Sequence, residues 1–350
     1  MSCTFHRRLA ARQALGSLIL AATLCLTACA RRESSHEAVY VSVPQVYLRD
    51  RLAAVYNKGE LVKEGDRLLV LERAKRFVRV RTTNGQEGWV EQRYLVGQDA
   101  FDRLQKLAAE NRTTPTQSTA VTRTDTNIHL TPARESEHLY QLKEGDKVQI
   151  LKRATSEKLA SAVAPVKQSG KGNGQKLKPL IEDWWLIRDS LGRVGWVLAR
   201  MVDIDVPLEI TQYAEGQRIV GAFTLNQVQD GDKKIPEYLV LATEPHDGLP
   251  YDYDQARVFT WNLRRHRYET AYRERHLFGV FPVSITTQNF DKEGLLPVFV
   301  LRVQDNDNIL ERKYKLNSPI VRRVVAEGQK PDASTAAPGR RRSRGSKANR

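Results

Sequence analysis

Few residues of this chain have the type and spacing that catalysis or metal binding requires. In the C-terminal third, His246 stands beside Asp247, and His266 and His276 follow, without the His-Glu-x-x-His spacing of a zinc site. No serine there lies in the sharp, glycine-flanked turn that exposes a nucleophile. His266 lies among arginines, so we expect it to be exposed. The sequence therefore predicts no catalytic residue, no metal and no cofactor; a hydrolase with an unrecognised active site is the remaining alternative.

One acidic turn has oxygen-bearing side chains that could bind calcium. The run Asp305-Asn306-Asp307-Asn308 has the composition with which a calcium loop begins. However, Ile309 stands where a ligand is needed, and Leu310 replaces the glycine that such a loop needs for its turn. We therefore predict a hairpin turn at this position.

All three cysteines, Cys3, Cys25 and Cys29, lie near the start of the chain. Residues 14–28 form a 15-residue apolar run behind three arginines. A bilayer-spanning helix needs about 20 apolar residues, so this run is too short to cross a membrane. A basic flank followed by a short apolar segment is typical of an export signal.

The residues Leu26-Thr27-Ala28-Cys29 resemble the signal of bacterial lipoproteins. The resemblance implies that residues 1–29 contain a lipoprotein signal and that Cys29 is lipidated as the first mature residue. Cys25 does not fit the pattern because the large Leu24 precedes it. Ala30, rather than an aspartate, follows Cys29, which in this family implies the outer membrane, facing the periplasm. A plain cleaved secretory signal is the alternative.

A lipidated Cys29 would leave no free thiol in the mature chain. Cysteine nucleophiles, disulfides and zinc-thiolate sites are then excluded. Each buried CH₂ of a lipid contributes about 0.8 kcal/mol, so several acyl chains hold a protein to a membrane almost permanently. We expect a non-enzymatic protein that is anchored to a membrane in the cell envelope and does not span it.

The formal net charge of +15 is partly concentrated at the C-terminus. After Gly328, seven lysines and arginines accompany a single acid, Asp332, among small residues and proline. Such a segment cannot bury a core, so 327–350 is predicted to be disordered. Lysine and arginine also suit nucleic acid, but an exported protein would rarely meet it and no recognition motif is present, so we expect no nucleic acid. Anionic lipid, cell-wall polymer or no dedicated partner are the alternatives.

An internal repeat organises the first 200 residues. Residues 61–71 return as 141–151, and residues 77–90 return as 184–197. The first block is offset by 80 residues and the second by 107, so the second copy contains an insertion of 27 residues (107 − 80). Each copy has a Glu-Gly-Asp turn, alternating apolar residues and a Gly-Trp-Val step, a pattern that predicts short β-strands joined by tight turns.

Both copies resemble bacterial SH3 domains, at 38–97 and at 121–204. The resemblance rests on the Gly-Asp turns, the aromatic strand at Phe77 or Trp184, and the closing Gly-Trp-Val. It implies two small SH3-like β-barrels, the second interrupted by a basic insertion at 154–181. Between them, residues 98–120 are predicted to form a short helix with one apolar face, followed by a linker.

Members of this family bind cell-wall peptides or protein segments in a groove lined with aromatic residues. The candidates here are Tyr47, Tyr56, Phe77 and Tyr94 in the first copy and Tyr140, Trp184 and Trp185 in the second. Trp89 and Trp196 are predicted to be core residues. Because adjacent strand residues point to opposite faces, we expect one of Trp184 and Trp185 to be buried and the other to be exposed or covered by the insertion.

From 207 to 326 the sequence again alternates strand-like runs with turns, about nine runs in all. This pattern predicts an antiparallel β-sandwich or barrel, so the predicted fold class is mostly β throughout. The favoured function is a non-enzymatic envelope lipoprotein that binds peptidoglycan or peptides through tandem SH3-like modules. The alternative is an envelope scaffold or assembly protein that binds a protein partner, mainly through the C-terminal β domain.

Overall fold

A computed structural model describes residues 37–158 and 180–324. The predicted signal with Cys29, most of the insertion and the basic tail lie outside the described residues. The described chain is mostly β, with several antiparallel sheets and two helices, as the sequence predicts. Neither helix is long and apolar enough to cross a membrane.

The first sheet contains seven short strands from the first copy of the repeat. They are β1 (Ala38–Val41), β2 (Gln45–Arg49), β3 (Lys58–Lys63), β4 (Arg67–Ala74), β5 (Phe77–Arg81), β6 (Glu87–Glu91) and β7 (Leu95–Gly97). Their order in the sheet is β3-β2-β6-β5-β4-β1-β7. A 3₁₀ turn, Gln92–Tyr94, precedes β7.

The second sheet has the same strand order as the first. Its strands are β8 (Ser118–Thr122), β9 (Thr126–His129), β10 (His138–Leu142), β11 (Lys147–Glu157), β12 (Ile181–Asp189), β13 (Val194–Leu198) and β14 (Val202–Ile204). They are arranged β10-β9-β13-β12-β11-β8-β14, which repeats the first order seven strands later. The described ends of the insertion extend β11 and β12, because Glu157 pairs with Ile181.

Glycines explain why the repeat preserves its spacing. Gly65 and Gly145 have φ of +84° and +85°, a backbone conformation that costs glycine little. Gly88 and Gly195 serve a different purpose, since β2 and β9 pass close to them. A Cβ on Gly88 would lie 2.7 Å from Leu48 Cβ, and one on Gly195 would lie 2.3 Å from Ile128 Cγ2.

The predicted helix is present as α1 (Gln98–Glu110). Its apolar face packs at two places: Leu104 joins a cluster with Tyr40 and Leu139, and Phe101 stacks on Tyr40 with 3.8 Å between the ring centroids. The C-terminal part of the helix continues onto the second sheet, where Leu107 packs against Leu186. A narrow apolar face therefore holds this helix in place.

The C-terminal region is a β-sandwich of eight strands, preceded by the one-turn helix α2 (Leu208–Thr211). One sheet contains β15 (Arg218–Asp230), β16 (Lys233–Thr243), β17 (Gln255–Asn262) and β18 (Arg267–Glu274), in that order. The other contains β19 (Gly279–Phe290), β20 (Gly294–Asp305), β21 (Asn308–Asn317) and β22 (Ile320–Val324), also in order. Asp305 pairs with Asn308, so the predicted hairpin turn is confirmed.

One apolar core joins the two sheets of the sandwich. Leu239 and Val258 of the first sheet share it with Phe299 and Leu301 of the second. The same cluster includes Trp185 and other residues of the second repeat (Ile150, Ile187, Val197). Of the two folds expected for this region, the sandwich is therefore the one formed.

The described residues form two compact units. The first comprises 37–39, 47–61 and 67–93, and the second comprises 40–46, 62–66, 94–158 and 180–324. The second unit thus contains short segments of the first repeat, the helix α1, the second repeat and the sandwich.

Candidate functional site

In the first unit, strand alternation separates a buried face from an outward face. Leu48, Val78, Val80 and Val90 are buried. Residues next to them in sequence point the other way: Arg49 of β2 and Phe77 of β5 are both half-buried on the outward face. Trp89 of β6 lies opposite Arg49 in the ladder and is also half-buried. The prediction that Trp89 is a core residue is therefore wrong, because its neighbours Gly88 and Val90 fill the core side.

Arg49 organises the aromatic residues on this face. Its guanidinium carbon lies 4.3 Å from the ring centroid of Tyr56 and 5.0 Å from that of Phe77. Lys58 Nζ lies 4.9 Å from the ring centroid of Tyr47, which is 42% exposed. The structure thus brings together three of the predicted ligand residues with Trp89. We call Tyr47, Arg49, Tyr56, Phe77 and Trp89 the aromatic-arginine surface.

Positive charge exceeds negative charge around the aromatic-arginine surface. Arg76 lies 5.4 Å from the centroid of Phe77, and among the described residues no carboxylate forms an ion pair with it. Glu91 forms ion pairs with Arg49 at 3.3 Å and with Arg93 at 2.9 Å. A recess of about 520 Å³ is bounded by Arg76, Glu91, Gln92 and Arg93. The arrangement can hold an anionic group beside a flat apolar one.

Tyr94 belongs to the second unit instead. It is half-buried, and its carbonyl accepts the N–H of Ser42 at 2.8 Å. Of the four ligand residues predicted in the first copy, Tyr47, Tyr56 and Phe77 therefore belong to the aromatic-arginine surface, and Tyr94 does not.

The second copy does not present an equivalent face. Trp184 occupies the position of Phe77 but is 1% exposed, and Trp185 is 5% exposed. The two side chains do point to opposite faces: Trp185 enters the core shared with the sandwich, and Trp184 meets the ring of His129 edge-on at 5.4 Å. The expectation that one of the pair is exposed is wrong, because both faces of β12 are covered; whether the insertion covers either lies outside the described residues.

The rest of the outward face of the second copy is covered by α1. Leu107 and Ala108 pack beside Trp196 against Leu186, so Trp196 is half-buried at the edge of a small core cluster. The first repeat has the polar Arg79 where the second has Leu186. An apolar residue at this position gives the helix a surface to pack on.

Tyr140, the remaining candidate, lies in a polar cluster of the second unit. The guanidinium carbon of Arg193 is 4.5 Å from its ring centroid, and Arg193 pairs with Glu64 at 3.0 Å and with Asp189. Burial raises the pKa of the Tyr140 hydroxyl. Glu64 also accepts the N–H of Gln141 at 2.7 Å. Tyr140 therefore serves to hold β10 in place.

A second site, which sequence reasoning missed, is a cleft of about 1150 Å³ within the second unit. Its walls come from β12, the 3₁₀ turn Ala199–Met201, β14, α2, β15 and residues 245–248. The apolar lining includes Trp185, Val202, Ile204 and Ile219, and the polar lining includes Glu182, Arg200, Arg218 and Asp247. No sequence motif marks this cleft, since its residues come from five separate stretches of the chain, at 123, 180–185, 199–206, 211–220 and 245–248.

A buried ionic network lies against the cleft. Asp183 is 1% exposed and accepts from Arg153 at 2.8 Å, Arg218 at 2.9 Å and the N–H of Gly248 at 3.0 Å. Glu182 accepts from Arg134 and Arg200, and the hydrogen bond from Arg134 lowers the pKa of the Glu182 carboxyl. These pairs fix β12 to the elements on both of its sides.

In 37–158 and 180–324, no three histidine, cysteine or acidic side chains lie close enough together to hold a metal ion.

Comparison with family models and with curated proteins finds no match. Among solved structures, the chain is similar to an NlpC/P60 family protein from Bacillus cereus ATCC 10987, with 10% identity and a TM-score of 0.20, over 51% of this chain and 62% of that one. It is also similar to NlpC2 from Trichomonas vaginalis (11% identity, TM-score 0.16, 69% and 97% covered) and to NlpC1 from the same organism (11%, 0.16, 71% and 95%). At these TM-scores the likenesses carry no argument about fold or function.

Proposed function

We propose that this protein is a non-enzymatic lipoprotein of the bacterial cell envelope that binds peptidoglycan or wall peptides. In this proposal Cys29 carries the lipid anchor at the outer membrane, and the first repeat makes the contact with the wall. The observation that carries the proposal is the aromatic-arginine surface, where Tyr56 and Phe77 lie against Arg49 and Tyr47 lies two residues away on the same strand.

The chemistry of that surface fits the peptides of the cell wall. Such peptides have carboxylates, which guanidinium groups bind in planar, charge-assisted hydrogen bonds. Half-exposed aromatic rings add apolar contact area at little cost in side-chain entropy. Arg76, at the edge of the recess, supplies a positive charge with which no carboxylate of the described residues forms an ion pair.

Membrane attachment would strengthen a weak contact of this kind. A tethered protein meets the wall at a high effective concentration, so single-site affinity can be modest. Support for binding comes from the first repeat only, because the second has its corresponding Trp184 buried.

Co-sedimentation with purified sacculi tests the proposal. We expect residues 30–350 to sediment with sacculi and the Phe77→Ala variant to bind about tenfold more weakly, the loss typical of a central aromatic contact. Phe278→Ala is the matched control, since Phe278 is an exposed aromatic residue (52%) of the sandwich. Equal recovery of the wild type and an unrelated basic protein would refute wall binding.

A further inference from the structure

Two sheet edges border the cleft in the second unit. Among the described strands, β14 pairs with β8 alone and β15 pairs with β16 alone. Residues 202–204 of β14 and 218–220 of β15 line the cleft. Edge strands have backbone groups with no ladder partner, and an extended peptide can pair with them.

The edge of β15 is covered just beyond the cleft. Ser118 Oγ accepts the N–H of Ala222 at 3.1 Å and donates to the carbonyl of Ala222 at 3.4 Å. The second repeat thus satisfies this strand edge at Ala222. The stretch Arg218-Ile219-Val220 precedes that point and faces the cleft.

Two consecutive residues of the cleft have polar atoms without partners. Gln217 Oε1 and Arg218 Nε are both buried, and neither has a hydrogen-bond partner among the described residues. One is an acceptor and the other a donor. A peptide group offers the complementary donor and acceptor. Because both atoms are shielded from solvent, each can reach a bound backbone only if its side chain rotates towards the cleft.

The charges of the cleft are already paired within the protein. Glu182 binds Arg134 and Arg200, and Arg218 binds Asp247 at 2.7 Å. The cleft therefore does not select a ligand by its net charge. Its lining instead combines an edge of Trp185 and several aliphatic side chains with Gln217 and Arg218, the residues that carry the two unpartnered atoms. Its volume of about 1150 Å³ exceeds the range of about 300–1,000 Å³ typical of small-molecule pockets.

We propose that the cleft binds an extended, uncharged segment of a partner protein, which adds as a strand to the edge of β15 and places apolar side chains against Ile204 and Ile219. This site is separate in residues and in ligand chemistry from the aromatic-arginine surface. The proposal does not depend on wall binding by the first repeat.

The test uses a phage-displayed library of random peptides of about 12 residues, long enough to form one strand, selected on residues 30–350. A selected peptide is then synthesised, and its affinity is measured by fluorescence anisotropy. We expect Thr211→Arg, which puts a long charged side chain into the cleft from an exposed position, to weaken binding about tenfold or more. Leu208→Arg is the matched control: it adds the same charge to the same helix, at a residue that is 82% exposed and does not line the cleft.

A second variant guards against misfolding. Gln217→Ala removes the unpartnered acceptor without adding bulk, and we expect it to weaken binding several-fold, while Phe77→Ala leaves the affinity unchanged. The proposal is overturned if no peptide is enriched over a protein-free surface. It is also overturned if affinity falls with Phe77→Ala and stays at the wild-type value with Thr211→Arg and Gln217→Ala, because the peptides then bind the first unit.

Discussion

The buried carboxylate of Asp183 connects several elements of the second unit. It receives two guanidinium groups and one backbone N–H, and Arg153 reaches from it to Asp252 and to the carbonyl of Tyr251. These contacts connect β11 and β12 of the second repeat with the loop before β17 of the sandwich. Burial of so many charges is compatible with folding only because each has a partner.

Replacing Asp183 with asparagine keeps the shape and removes the charge. We expect a loss of about 3 kcal/mol in the free energy of unfolding, because Arg153 and Arg218 lose a buried counter-ion. Urea denaturation followed by circular dichroism measures this loss. Asp203→Asn is the control, since its pair with Arg123 is more than half exposed and contributes at most about 1 kcal/mol. Similar losses in both variants would show that the network does not stabilise the fold.

Two histidines of the second repeat predict a pH dependence. Burial lowers the pKa of His129 and of His138 from the ordinary value of 6.5. His129 Nδ1 donates to the carbonyl of Ser136 at 3.2 Å, and Arg134 lies nearby and also disfavours the charged ring. The unfolded chain therefore binds protons more readily than the folded one below about pH 6.5.

We expect stability to be fully present above the unfolded pKa and to fall as the pH is lowered from about 7.5 to about 5.5. Urea midpoints across this range measure the effect, and a His129→Gln, His138→Gln double variant should show a smaller decrease. His246 acts in the opposite sense, because its hydrogen bonds to the Asp247 carbonyl and to Glu244 raise its pKa. His246 is present in both proteins, so their difference isolates the buried pair. An unchanged slope in the double variant would contradict the assignment.

At the scale of elements, the Gly-Trp-Val step is a packing device in both repeats. Gly195 lets β9 cross close to β13: an added Cβ would lie 2.3 Å from Ile128 Cγ2 and 2.8 Å from the carbonyl oxygen of His129. The neighbouring tryptophan is half-buried in each copy. The glycine therefore serves the close crossing of the two strands.

Gly195→Ala should lower the free energy of unfolding by about 2–3 kcal/mol, because a backbone carbonyl and a core side chain must both move. Thermal denaturation with a matched Gly97→Ala variant measures this. Gly97 has no neighbour within 4 Å of its Cβ position and a φ of −75°, so we expect a loss of about 1 kcal/mol or less there. A melting temperature for Gly195→Ala equal to that of Gly97→Ala would refute the close packing.

The helix α1 determines which face of the second repeat is available for binding. Its apolar face was evident from the spacing of Phe101, Leu104 and Leu107. Its destination was not, because a narrow apolar stripe fits many surfaces equally well. By packing on Leu186, it covers the face that stays partly open in the first repeat.

At the scale of the whole molecule, the second repeat and the sandwich share one apolar core, which runs from Ile150 and Trp185 to Phe299 and Leu316. Its residues come as short alternating groups, such as Leu239 with Leu241 and Phe299 with Leu301, from strands that are far apart in sequence. The second repeat and the sandwich look like separate modules in the sequence. Their apolar residues nevertheless form one continuous core from which water is excluded.

The strand content, the turns and the duplicated order of strands followed from the sequence alone. Alternating apolar residues and positive-φ glycines act locally, so their signal survives in a linear pattern. The same applies to the hairpin at Asp305. Tyr47, Tyr56 and Phe77 were candidates because of the resemblance to bacterial SH3 domains, which implies a groove lined with aromatic residues.

Only the tertiary structure decided which faces stay open. Phe77 and Trp184 occupy equivalent positions in the repeat, yet Phe77 is half-buried whereas Trp184 is fully buried beside the ring of His129. The cleft between β14 and β15 likewise depends on five separate stretches of the chain coming together, and no local sequence pattern encodes that arrangement. Local backbone preference determines the elements of this protein, whereas long-range packing determines the surfaces with which it can bind.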